Sequence, residues 1–221
     1  MRPAPLWWAG ILKSIRDDAG WSKDPASPVT CGLSRLSGLS RYLCNFVEFP
    51  FRDYKWEQMP HKYLTKEFEE LAHSAPSPTD FMQRVTQRIH MHIPRYNWVG
   101  FYLVDKKDPS SLVLGPHTGS FTPSQRISFG SGLCGVSALT GQTVAANDVR
   151  RDTRYIPASD MVKSQIVTPL RSRNRVVGVF NLESYFMDTF KSTEDVKFVE
   201  QCAALAGEAL DRTAAPNLVG V

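Results

Sequence analysis

The stretch Asn97-Trp98-Val99-Gly100-Phe101-Tyr102-Leu103 decides the fold class. It alternates: Val99, Phe101 and Leu103 point one way, and Trp98, Gly100 and Tyr102 the other, which is the period of a strand. Gly100 clears space between two aromatic side chains on one face. Trp98 and Tyr102 are therefore candidates for a two-walled apolar slot suited to a thioether-like or cationic group, with ordinary sheet packing as the competing explanation.

Downstream the strand signals continue. Ser111 to Gly115 follows the Asp108-Pro109-Ser110 turn, and Gln125 to Phe129 is a short third segment. Gly132 to Leu139 has a helical pattern closed by Gly141. Thr143 to Val149, Gln165 to Arg171 and Arg175 to Ser184 are further strands, the last two joined by a hairpin turn at Ser172-Arg173-Asn174. A closing helix spans about Thr193 to Arg212, with Ser192 and Asp195 as its capping pair.

Upstream, Tyr63, Leu64, Phe68 and Leu71 recur at helical spacing. Ser74 to Pro78 breaks the pattern. Thr79 or Asp80 then caps a second helix with Phe81, Val85 and Ile89 on one face, ended by Pro94. These elements predict an α+β fold, an antiparallel sheet flanked by helices, with the other sheet face left to line a pocket.

Residues 1–60 form an irregular extension with no sustained period and no recognisable chemistry. Met59 stands where order begins and is a candidate translation start. The domain is expected over 61–213, with a tail at 214–221. On the closing helix, Val196, Val199, Ala203, Ala206 and Leu210 make one apolar line, and Phe198, Cys202, Leu205 and Ala209 a second. The second line can pack within the chain or against a partner, so a homodimer stays open.

The chain has 221 residues, and 26 basic against 22 acidic side chains give a net charge of +4. The basic residues are dispersed, so no nucleic-acid partner is expected. No stretch is long enough to span a bilayer. Leu6 to Leu12 is too short for a signal core and is followed at once by Lys13. The four cysteines, Cys31, Cys44, Cys134 and Cys202, form no CxxC pair, which argues against a zinc ribbon, a thioredoxin motif or a disulfide scaffold. The expected compartment is the cytoplasm. His90 and His92 diverge on a helix and His117 stands alone in a loop, so no metal site is expected.

Several motifs occur in a fixed order. They are Asn97 to Leu103, Leu112-Val113-Leu114-Gly115-Pro116, Gly130-Ser131-Gly132-Leu133-Cys134-Gly135, Thr140-Gly141-Gln142-Thr143, Asn147-Asp148-Val149, Ser164 to Leu170, and Val177 to Ser184. Together they resemble the free methionine-(R)-sulfoxide reductases, which are stand-alone GAF domains, over roughly residues 62 to 212. The resemblance implies a pocket lined by Trp98, Tyr102, Asp148, Gln165, Asn181 and Glu183 for a small molecule such as a free amino acid or methionine sulfoxide. It also implies thiol chemistry: a thiolate attacks the sulfoxide sulfur, becomes a sulfenic acid, and condenses with a second thiol.

The chain departs from that pattern. Cys134 keeps the cysteine of the Gly-x-Gly-x-Cys-Gly turn, near a helix N-terminus that favours a thiolate, with a small buried apolar residue as the preferred reading because no resolving partner is near in sequence. The other two family thiols fall at or beside Ser124 and at Ala158. The family's acidic positions are Gln165, Asn181 and Glu183 here, so one charge remains. The expected function is therefore a small-molecule-binding protein without the reductase chemistry and without a cofactor. The alternatives are a reductase running on Cys134 with an external thiol reductant such as thioredoxin, and a signalling GAF regulatory domain.

Overall fold

A computed structural model describes residues 59–121 and 123–214. The expectations for the extension before Met59, for Cys31 and Cys44, and for the tail lie outside the described residues. The elements are α1 (Met59–Ser74), α2 (Pro78–His92), β1 (Trp98–Val104), β2 (Ser111–Gly119), β3 (Arg126–Ser128), α3 (Gly132–Thr140), β4 (Val144–Ala146), a 3-10 turn (Val149–Arg151), β5 (Ser164–Ser172), β6 (Arg175–Ser184) and α4 (Thr193–Ala214).

The six strands form one sheet in the order β3-β2-β1-β6-β5-β4, every neighbouring pair antiparallel. The alternation read in β1 holds. Val99 and Phe101 join one core with Phe180, Leu182, Ile166 and the inner faces of α1, α2 and α4. Trp98 and Tyr102 join a second core on the opposite face. That face is not left bare: α3 and the segment after β4 cover it, through Leu133, Cys134, Ala138, Val149 and Val162.

Three elements differ from expectation at their boundaries. β2 runs on through Gly115-Pro116 to Gly119, because Gly100, Val99 and Trp98 supply partners at His117, Thr118 and Gly119 beyond a register shift. His117 thus lies on a strand rather than in a loop. The expected long strand from Thr143 is only three residues, since Asp148 turns the chain into the 3-10 segment by accepting from the Arg150 amide. α2 is capped by Ser77, not Thr79 or Asp80. Ser77 Oγ accepts from the Asp80 amide and donates to its carboxylate at 2.6 Å, with Pro78 at the first helical position. The other cap is as read: Asp195 N donates to Ser192 Oγ at 3.0 Å, and that hydroxyl donates to Asp195 Oδ2 at 2.8 Å.

On α4, residues from both apolar lines are buried within this chain: Phe198, Val199, Cys202, Ala203, Ala206 and Ala209, with Val196, Leu205 and Leu210 packed against them. Among the described residues no helix is long and apolar enough to cross a membrane, and no group of His, Cys, Asp and Glu is arranged to hold a metal ion.

Candidate functional site

Strand register builds the site. Glu183 on β6 pairs with Gln165 on β5 on one side and with Trp98 on β1 on the other, so these three side chains form a row across three strands on the α3 face. The next row on that face joins Val167, Asn181 and Gly100. Gln165, Asn181 and Glu183 are each 5% exposed or less. They interlock: Asn181 Nδ2 donates to Glu183 Oε1 at 2.9 Å, Gln165 Nε2 donates to Asn181 Oδ1 at 2.8 Å and also approaches Glu183 Oε1 at 3.3 Å.

Glu183 Oε2 is left buried without a hydrogen-bond partner. Burial pushes this carboxyl up to about 7, and the Asn181 hydrogen bond only partly opposes it. A carboxyl in this state changes charge near neutrality.

Trp98 lies flat on the sheet because two neighbouring positions lack side chains. A Cβ on Gly119 would meet Trp98 Cγ at 2.8 Å, and one on Gly100 would meet the far end of the indole. The indole stacks with His117 at 5.8 Å and Phe121 at 6.0 Å, and meets Tyr102 tilted at 6.3 Å. Trp98 and Tyr102 therefore share a face as their spacing implies. Tyr102 is anchored through its hydroxyl to the Ser124 carbonyl at 3.0 Å.

Cys134, on the first turn of α3, sits against the row, with Gln165 Nε2 3.9 Å from its sulfur. The helix terminus does not activate it. Burial, reinforced by the Glu183 charge, pushes the thiol well above its ordinary value, so it stays protonated. Cys202 is in the other core, across the sheet, and is equally buried. No second thiol on the described residues shares the Cys134 face. Ser124 and Ala158 are both exposed.

Asp148 is not brought into this group. It caps the 3-10 turn and holds Arg150 at 3.0 Å and Arg151 at 3.6 Å. Two residues that the sequence did not place at the site do join it. His117 arrives through the extension of β2. Tyr155 descends from the segment between the 3-10 turn and β5 and packs into the second core. Its hydroxyl is buried and makes no hydrogen bond of good geometry, although the Ala158 amide lies beside it. Its aromatic character within a polar loop was its only sequence signal.

Residues 75–211 match the family described as GAF domain. The chain belongs to the GAF domain family. It is similar to a protein named free methionine-R-sulfoxide reductase from Escherichia coli K12, 28% identical over 150 residues that cover 68% of this chain and 88% of that one. The Saccharomyces cerevisiae protein of the same name is 34% identical over 110 residues, 49% of this chain and 60% of that one. Among solved structures, free methionine-R-sulfoxide reductase from Neisseria meningitidis in complex with its substrate superposes with a TM-score of 0.65 at 27% identity, covering 70% of this chain and 92% of that one. In this GAF domain the polar row, the aromatic pair and Cys134 all lie on the sheet face under α3.

Proposed function

We propose that this GAF domain binds a small organic molecule between Trp98, Tyr102 and the Gln165–Asn181–Glu183 row, and that the reductase chemistry named for its relatives is lost. The observation that carries the second half is the state of Cys134. Reducing a sulfoxide to a sulfide takes two electrons, supplied as two thiols become a disulfide while the oxygen leaves as water. Cys134 is buried, held protonated, and faces no second thiol among the described residues. The first half rests on a buried carboxylate oxygen without a partner beside packed aromatic rings, a combination that is costly unless it serves recognition.

A second reading, a reductase in which Cys134 attacks and an external thiol such as thioredoxin resolves the sulfenic acid, is favoured by the names of the relatives. One experiment separates the two: turnover of free methionine-(R)-sulfoxide driven by dithiothreitol, with Cys134→Ser alongside. The expected result is no turnover by either protein. Turnover that disappears in the variant overturns the loss of chemistry.

A further inference from the structure

The helix face of the sheet holds a titratable cluster that the proposed site does not use. His61, on the first turn of α1, is 7% exposed and lies where three segments meet. Its ring stacks on Phe198 of α4 at 4.5 Å and on Tyr96 of the α2–β1 connection at 6.2 Å. Nε2 meets Asp195 Oδ1 at 3.3 Å and the Tyr96 hydroxyl oxygen at 3.2 Å. That hydroxyl donates its own hydrogen to Asp195, so the network assigns the imidazole hydrogen to Nε2, which donates to both oxygens. Nδ1 is then a bare acceptor, buried and without a partner.

A second proton has no place in this arrangement. It would put an N–H on Nδ1, where no acceptor stands, and a positive charge in a site shut off from water. The charged and titratable groups that face the ring are Asp195 and Glu194 at the start of α4, and Arg95 and Tyr96 in the connection from α2 to β1. Asp195 is the close counter-charge, and both its oxygens are already taken. Arg95 at 2.6 Å and Tyr96 address Oδ1, and Ser192 at 2.8 Å addresses Oδ2. Burial therefore outweighs Asp195, and the imidazole falls from 6.5 to about 4.

The two ends of α1 are held differently. Farther along, Glu67 makes a two-point ion pair with Arg88 of α2, at 2.7 and 2.8 Å, and Arg212 of α4 donates to the Ala72 carbonyl. Neither contact involves a histidine. The first turn is tied to α4 through His61. α1 packs chiefly on α2 and α4, so its start can lift without breaking the sheet. We propose that His61 is an acid-sensitive latch: on acidification its protonation releases the first turns of α1 from α4, uncovering the rings of Tyr96 and Phe198 while the sheet stays folded. Linkage gives the size. Between the two values the released form binds a proton that the latched form does not, so release gains about tenfold per pH unit of acidification. From pH 7 to pH 5 the released population should rise about twentyfold.

The test uses the full chain and hydrogen exchange read by mass spectrometry at pH 7, 6 and 5, with labelling times scaled to the intrinsic exchange rate. Peptides from the start of α1 are expected to lose about twentyfold in protection from pH 7 to pH 5, and peptides from β1 and β6 to keep theirs. His61→Phe keeps a ring on Phe198 and cannot take up a proton, so its α1 protection should not change with pH. Should that variant fold poorly, His61→Gln, which cannot titrate either, and the native series still decide. Protection of α1 that does not vary with pH in the native protein overturns the latch. So does a loss shared by α1 and the strands, which would mean that the whole domain opens, and so does a pH dependence that survives in either variant.

Discussion

The two faces of the sheet each bury a carboxyl group, and the two groups live under opposite conditions. On the helix face, Asp195 opens α4 and is surrounded by donors. Arg95 Nη2 reaches Oδ1 at 2.6 Å, the Tyr96 hydroxyl donates to the same oxygen, and the Ser192 hydroxyl donates to Oδ2 at 2.8 Å. Burial alone would raise this carboxyl most, yet the hydrogen bonds from Tyr96, Arg95 and Ser192 and the Arg95 charge together win and hold it below its ordinary value. On the α3 face, Glu183 has two amides on one oxygen, nothing on the other and no cation, and burial wins. Both are polar groups in a core. The first carboxylate, at the joint between the end of α2, α1 and α4, is satisfied on both oxygens although His61 Nδ1 beside it has no partner, and the second carboxylate is satisfied on one oxygen only. The contrast teaches that burial alone does not set a carboxyl's charge state; the donors around it do.

The largest effect should come from undoing the joint around Asp195. Asp195→Asn removes the charge that Arg95 and Tyr96 address and leaves a partly buried guanidinium without its partner. A loss of about 2–4 kcal/mol is expected in urea unfolding at neutral pH. A loss under about 0.5 kcal/mol would mean that the network is decoration and that the contrast between the faces does not hold.

pH sharpens the comparison, because the two faces pull in opposite directions. His61 stacks on Phe198 and contacts Asp195 at 3.3 Å. Burial, opposed by Asp195, lowers it from 6.5 to about 4. Between those values the unfolded chain binds a proton that the folded chain does not, so this face gains stability as pH rises, and loses it on acidification. Glu183 is raised from 4.5 to about 7. Between those values the folded chain holds the proton, so stability is fully present below 4.5 and is lost as pH rises through 7. Each slope is about 1.4 kcal/mol per pH unit. They offset one another from about pH 4.5 to 6.5, and the native protein should be nearly flat there with respect to these two groups. Glu183→Gln removes the falling branch. Its stability should climb by about 2–3 kcal/mol over that window, and it should exceed the native protein above pH 7. Chemical unfolding at half-unit pH steps measures both. Parallel profiles for the two proteins would show that Glu183 ionises in the fold as it does in water.

How much of this was legible in the sequence follows from where each residue sits. Val99, Phe101 and Leu103 against Trp98, Gly100 and Tyr102 could be sorted by parity alone, and so could Phe180 and Leu182 against Asn181 and Glu183. The α4 cap could be read from a hydroxyl three residues before a carboxylate, at Ser192 and Asp195, whereas Ser77 and Asp80 have the same spacing but lie in a Ser- and Pro-rich break that hid the start of α2. The three-strand row could not, because it depends on register between strands far apart in sequence. Gly115-Pro116 has the composition of a turn and hid the far half of β2, and with it the placement of His117. Tyr155 lies in a segment with no period, so nothing local says that its ring turns inward. Cys134 was visible, but the contest between helix terminus and desolvation is settled only by burial. Burial decides for the small, buried, protonated residue, which is the preferred of the two readings the sequence allows.

The aromatic wall tests the α3 face at a smaller scale. Gly119→Ala puts a methyl group against the start of the indole and Trp98 must lift off the sheet. A cost of about 1–3 kcal/mol is expected, together with a shift in tryptophan emission, while the helix-face network keeps its pH slope. An unchanged emission spectrum would mean that the indole is not seated on that glycine.

One substitution made twice compares the faces most directly. Tyr96→Phe and Tyr155→Phe each delete a single hydroxyl oxygen and leave a ring in place. Tyr96 donates to an ionised, buried carboxylate, so its removal should cost about 1.5–3 kcal/mol. Tyr155 gives up a buried hydroxyl that makes no good hydrogen bond, so the unliganded protein should change by less than about 0.5 kcal/mol and could gain slightly. The measurement is the pair of urea midpoints at pH 7 with a shared slope. If Tyr155→Phe costs as much as Tyr96→Phe, the Ala158 amide or another group already satisfies that hydroxyl in solution. Tyr155 would then be as satisfied as Tyr96, and Glu183 Oε2 and Trp98 Nε1 would be the unpartnered buried groups left on the α3 face. If only Tyr96→Phe is costly, Tyr155 contributes nothing to the resting fold, and a role in holding a ligand is what remains to explain an oxygen buried in that position.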